Sequence, residues 1–168
     1  MIRSFGNKTP QIAESAFISE AAYVIGDVEI GENSSVWPGT VIRGDFAKII
    51  IGKNTQIEDN CVVHTGTPMT IGDNVHIGHS VVVHCHRIGN NVLIGNNATI
   101  LDSAEIGDLC IISANTLVSQ GMKIPDRSFV AGVPAEIKGE VTAEQIARIE
   151  MGVLTYVKLA QEYKKLGL

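Results

Sequence analysis

Ile88-Gly89-Asn90-Asn91-Val92-Leu93-Ile94-Gly95-Asn96-Asn97-Ala98-Thr99-Ile100-Leu101-Asp102-Ser103-Ala104-Glu105-Ile106-Gly107-Asp108-Leu109-Cys110-Ile111-Ile112 places an isoleucine at every sixth residue. The same step runs back to Ile12 and on to Val130, always landing on Ile or Val. It breaks at three places, between Ile42 and Ile51, Val63 and Ile71, and Val83 and Ile88. Four residues after each aliphatic comes a small or β-branched residue, such as Thr55, Cys61, Val75, Val81, Val92, Ala98, Ala104 or Cys110. A fixed short period of this kind marks a repeat architecture. Strands this short, with Gly or Asn at the corners, make a coil of stacked parallel strands rather than hairpins. The two repeating positions then point inward and stack on themselves, so Cys61 and Cys110 read as small core residues.

The pattern resembles the hexapeptide-repeat left-handed β-helix. That resemblance implies the handedness, and it implies that three steps complete one triangular turn. The expected fold is therefore all-β, a left-handed parallel β-helix of about seven turns over residues 1–140, with a C-terminal α-helix over 141–168. Thr142-Ala143-Glu144-Gln145 fits a capping box that starts this helix. Ile146, Ile149, Val153, Tyr156, Ala160 and Tyr163 fall on one helical face, which should pack on the coil or on a neighbouring subunit.

The 168-residue chain carries a formal net charge of −5 and no Lys/Arg run, which argues against nucleic acid as a partner. No stretch approaches the length of an apolar membrane span. The N-terminus lacks the apolar core of a signal peptide, and three cysteines without a framework suit the cytoplasm.

All five histidines lie between residues 64 and 86. His64 follows Val63 and His84 follows Val83, and those aliphatics are three steps apart. The two imidazoles should stack on one face of the prism, one turn apart, with the extra residues around Thr67-Pro68 looping out. His79 follows Ile77 by two and belongs to a different corner. It should reach the pair only from a neighbouring subunit, which predicts a cyclic homotrimer with metal sites between protomers. Three His ligands with a fourth position left to water describe a catalytic zinc site. Arg43 continues the His64–His84 ladder one turn lower, with Asp45 two residues on. Glu58 and Asp59 lie in the column beneath His79. His76 and His86 read as solvated residues or supports near the site, His86 also as a possible proton carrier.

Arg43-Gly44-Asp45, Glu58-Asp59-Asn60, His64, Ile77-Gly78-His79 and His84 resemble the γ-class carbonic anhydrases and their bacterial relatives. The resemblance implies a homotrimer with His64 and His84 from one subunit and His79 from the next. It implies Zn2+, with Fe2+ or Co2+ as alternatives, and the reversible hydration of CO2 to bicarbonate. It further implies an intersubunit Arg43–Asp45 ion pair, a tyrosine near the site at Tyr156, and Asp59 orienting the residue at position 58. Glu58 stands where family members carry glutamine, adding a carboxylate able to take a proton. The loop Thr65-Gly66-Thr67-Pro68-Met69-Thr70 lacks the acidic residues of the archetypal enzyme, Cys85-His86 replaces Gly-Cys, and Asn96-Asn97 replaces Met-Gly. Two other functions share the repeat: an acyltransferase using a CoA thioester, and a non-catalytic scaffold pinned by metal. Metal content separates the first from a carbonic anhydrase.

Overall fold

A computed structural model describes residues 1–168. Three walls of short parallel strands wind into a β-helix of about seven turns. The first wall stacks the start of Tyr23–Ile30, the start of Val41–Ile51, Val62–His64, Val82–Val83, Thr99–Ile100 and Leu117–Val118. The second stacks Gln11–Ile12, the ends of those two long strands, Met69–Ile71, Arg87–Ile88, Glu105–Ile106 and Lys123–Ile124. The third runs from Phe17–Ile18 through Ser35–Val36, Gln56–Ile57, His76–Ile77, Leu93–Ile94 and Ile111–Ile112 to Ser128–Ala131.

In-register pairing stacks identical positions. Ile57, Ile77, Ile94 and Ile112 form one fully buried column, and Ile42, Val63, Val83, Ile100 and Val118 form another. The corners turn on the third residue after each aliphatic, which adopts a left-handed conformation: Asn33, Asn54, Asn60, Asn74, Asn91, Asn97 and Asn115 among others. Asparagine tolerates that region because its short side chain bonds locally. Here Asn33, Asn54, Asn74 and Asn91 also join amide to amide up one corner, at 3.0–3.3 Å.

Two corners lack a turn altogether. Tyr23–Ile30 and Val41–Ile51 run unbroken from the first wall to the second; the second strand carries three extra residues in a bulge between Gly44 and Ile49, which makes the nine-residue step from Ile42 to Ile51. Gly26, at φ 86°, lies against the Gly44 carbonyl, where a β-carbon would come within 2.4 Å of the oxygen.

The third wall ends in an antiparallel return, Glu136–Glu140, paired with Ser128–Ala131 and exposed along its length. The helix Ala143–Leu166 follows, with the Thr142/Gln145 capping box formed at its start. It lies along the third wall in two patches. Ile149 and Val153 join Ile111 and Val141, while Ala160, Tyr156 and Tyr163 close over Phe17 and Trp37. No helix is long and apolar enough to cross a membrane.

Candidate metal centre

On the first wall each inward aliphatic is followed by an outward residue. Arg43 pairs in register with His64, and Val63 pairs with Val83, so His84 falls on the next rung. The His64 and His84 ring centroids are 5.2 Å apart, at an interplanar angle of 55°. The six-residue count demands this stacking, and the parallel register delivers it.

Asp45 lies where the long strand bulges past Arg43. It is ion-paired with Arg43 of its own chain, and its Oδ1 is 3.1 Å from His64 Nε2. Arg43 and Asp45 pair within the single chain; the pairing across subunits that the family resemblance implies belongs to an assembly of several chains. Burial works against the ionised Asp45. Hydrogen bonds from Arg43 and His64 outweigh it and hold the carboxyl below its usual range. Phe46, 76% exposed, sets its ring 5.6 Å from that of His64.

Asp102 is a site residue that sequence reasoning missed. Its Oδ1 is 3.0 Å from His84 Nδ1. The signal was present in the count: Asp102 follows Ile100 by two, and Ile100 pairs with Val83 on the rung beside His84.

His79 sits at the corner after the third-wall strand His76–Ile77, about half exposed. Its Nε2 is 3.0 Å from Glu58 Oε2 and its Nδ1 is 3.1 Å from Asp59 Oδ2. It makes no set with His64 and His84 in one chain, and no single protomer gathers three metal-ligating side chains in ligand geometry.

Glu58 is 3% exposed, at the junction of coil and helix. His76 Nε2 lies 2.7 Å from its Oε1, and the Tyr156 hydroxyl donates to it from the helix. Burial favours the neutral acid. The hydrogen bonds from His76 and Tyr156, with the charges of His76 and His79, overcome that and hold Glu58 below its ordinary value of 4.5. Burial and the bond to Glu58 push the Tyr156 hydroxyl well above its usual range. Tyr156 also packs edge-on against His76 and Trp37, so it both closes the wall and contacts the site. His76 is a direct partner of Glu58 rather than a solvated residue. His86 points elsewhere: its Nδ1 is 3.1 Å from the Pro68 carbonyl at the loop beyond the pair. Cys85, next to His84, faces the core, where burial pushes its thiol up to about 12. A thiolate ligand is therefore not on offer there.

Imidazoles suit a borderline divalent metal, and carboxylates touch all three rings: Asp45 at His64, Asp102 at His84, and Glu58 and Asp59 at the two nitrogens of His79. A family model described as bacterial transferase hexapeptide, six repeats, matches residues 9–44 and 85–120. A protein of Geobacillus kaustophilus named carbonic anhydrase is 44% identical over 168 residues, covering 99% of this chain and 92% of that one. The chain belongs to the γ-class carbonic anhydrase family. Another relative in that family, the mitochondrial gamma carbonic anhydrase 2 of Arabidopsis thaliana, is 37% identical over 92% of this chain. This chain spans 59% of that plant protein's length. A solved structure of a hexapeptide transferase family protein from Anaplasma phagocytophilum matches with a TM-score of 0.93 at 37% identity. It covers 96% of this chain and 97% of its own. The fold that the γ-carbonic anhydrase family shares with such transferases is the left-handed hexapeptide β-helix.

Proposed function

We propose that this chain is a metal-dependent enzyme that reversibly hydrates CO2 to bicarbonate. In this reading it works as a cyclic homotrimer, with His64 and His84 of one protomer and His79 of the next holding the metal. The observation that carries the reading is the stacked His64–His84 pair, 5.2 Å between centroids, with His79 half exposed at the corner of another wall. Relatives named carbonic anhydrase support it. A divalent metal of the zinc, ferrous iron or cobalt kind, when bound there, supplies a water-derived nucleophile by lowering the pKa of water toward ~7.

The protein's own groups do the rest. Glu58 is held ionised, and its Oε2 faces His79; its lowered pKa suits it to orienting the nucleophile and passing the released proton on rather than keeping it. Asp59, 3.1 Å from the other nitrogen of His79, orients that ring. Val62, Val82 and Phe46 are exposed on the face bearing the histidine pair. Covered by a neighbour, they give an apolar pocket suited to an apolar substrate such as CO2.

Elemental analysis joined to a stopped-flow CO2 hydration assay tests this. The expected result is about one metal per protomer, with hydration abolished in His79→Ala. A metal-replete trimer no faster than that variant overturns the reading. The transferase likeness makes an acyltransferase the second reading; it predicts acetyl-CoA turnover by a metal-free trimer. If metal removal only dissociates the trimer and no activity exists, the chain is a scaffold.

A further inference from the structure

We infer that the cleft between the C-terminal helix and the third wall, beside His76, is a binding site for a small carboxylic acid with an apolar body. The inference stands apart from the metal-site reading and does not depend on it.

The cleft encloses about 340 Å³, at the lower end of the roughly 300–1,000 Å³ typical of ligand pockets. Its apolar lining is Leu93 and Ile111, outward residues of successive turns paired in register, with the buried Ile149 of the helix opposite. Gln145 and Arg148 add donors from the start of the helix, and no carboxylate is among the lining residues. The Gln145 side-chain carbonyl is taken by the Thr142 N–H in the capping box, so its amide nitrogen is left to donate. Arg148 reaches Glu144 at 3.5 Å, in a pair that is about four-fifths exposed on both sides. Exposed pairs of this kind are worth little, so the guanidinium is free to turn to a ligand docked beside it. Donors above an apolar floor call for an anion on a hydrophobic stem. Arg148 is the sole arginine or lysine lining the cleft, which matches the single charge of a carboxylate better than the higher charge of a phosphate ester.

Gly152 is an independent sign that the space is kept. It lies inside the helix Ala143–Leu166, where glycine is the poorest helix former after proline. Packing does not call for it: a β-carbon there would meet His76 Nδ1 at 3.5 Å and Cε1 at 3.9 Å, ordinary contact distances. Alanine would strengthen the helix and narrow the cleft against His76, whose Nε2 is held 2.7 Å from Glu58. Glycine weakens the helix and leaves the void open.

Benzoate titrated into the assembled protein tests this, with benzyl alcohol and benzylamine as probes of similar shape without the negative charge. Binding is read from the methyl NMR signals of Leu93, Ile111 and Ile149, which report this cleft rather than the face bearing His64 and His84. Expected are saturable shifts with benzoate, at least about 10-fold weaker binding of the alcohol and the amine, and an about 10-fold loss of benzoate affinity in Arg148→Gln. Gly152→Leu, which fills the cleft, should abolish binding while melting no lower than wild type. The absence of saturable shifts up to about 10 mM benzoate overturns the inference, and includes the case in which a neighbouring protomer already fills the cleft. Benzyl alcohol or benzylamine binding as tightly as benzoate overturns it, because the cleft then recognises no anion. Undiminished binding to Gly152→Leu overturns it by placing the ligand elsewhere. Should Gly152→Leu fail to fold, the exposed Arg148→Gln variant decides: unchanged benzoate affinity there overturns the inference.

Discussion

Glu58 shows most clearly what one substitution does in this fold. The carboxylate is buried against the helix, yet hydrogen bonds from His76 and Tyr156 and the charges of His76 and His79 keep it ionised. Its pKa is depressed in the folded state. Its contribution to stability is therefore fully present above the ordinary 4.5 and is lost as pH falls through the lower folded value. Glu58→Gln removes that term. Thermal unfolding between pH 6 and pH 3 should show a shallower acid loss in the variant than in the wild type, and identical slopes would exclude the assignment. With metal removed from both proteins, His79→Ala should melt close to the wild type, since the side chain is about half exposed, while metal affinity falls by at least about 100-fold. Residue by residue, legibility tracked sequence distance. His64 and His84 were readable as a pair because the repeat counts between them. The Glu58–His76–Tyr156 cluster was not, because Tyr156 arrives on a helix whose seat on the wall depends on packing rather than on the six-residue period.

The strands illustrate how little each element needs when its neighbours repeat it. Most are two residues long and would be unstable alone, but those inside the coil pair on both sides with the strands of the turns above and below. Stability is then a sum over adjacent turns. Ile94→Ala, in the middle of a fully buried column, should cost about 2–5 kcal/mol in chemical denaturation. A loss below 1 kcal/mol would mean the column relaxes around the gap. The helix start is the second test at this scale. Thr142 accepts from the Gln145 amide while the Gln145 side chain returns to the Thr142 backbone. Thr142→Ala should cost about 1 kcal/mol. The capping box was legible because its residues are adjacent. The unbroken strands through Gly26 and Gly44 were not, since Val24 to Ile30 keeps the six-residue step and Ile42 to Ile51 merely lengthens it.

Across the whole molecule, the first wall is the one left unfinished. The third is covered by the helix, and the second carries alternating charges such as Lys48 with Glu29 and Lys123 with Glu105. The first presents Val62 and Val82 beside the histidine pair. Native mass spectrometry should find trimers, and chelation should shift them toward monomer; monomers with full metal occupancy would contradict the intersubunit site. The prism also has a direction in which it could lengthen. Parallel rungs template further rungs, and Lys123–Ile124 pairs on one side only, whereas Leu117 is already met by Gly132 and Ala135. What intervenes is the charged return strand Glu136–Glu140, which runs against the grain and occupies the last edge of the third wall. It works as a chain terminator: an antiparallel, charged edge offers an incoming parallel rung neither the direction nor the apolar face that the coil repeats.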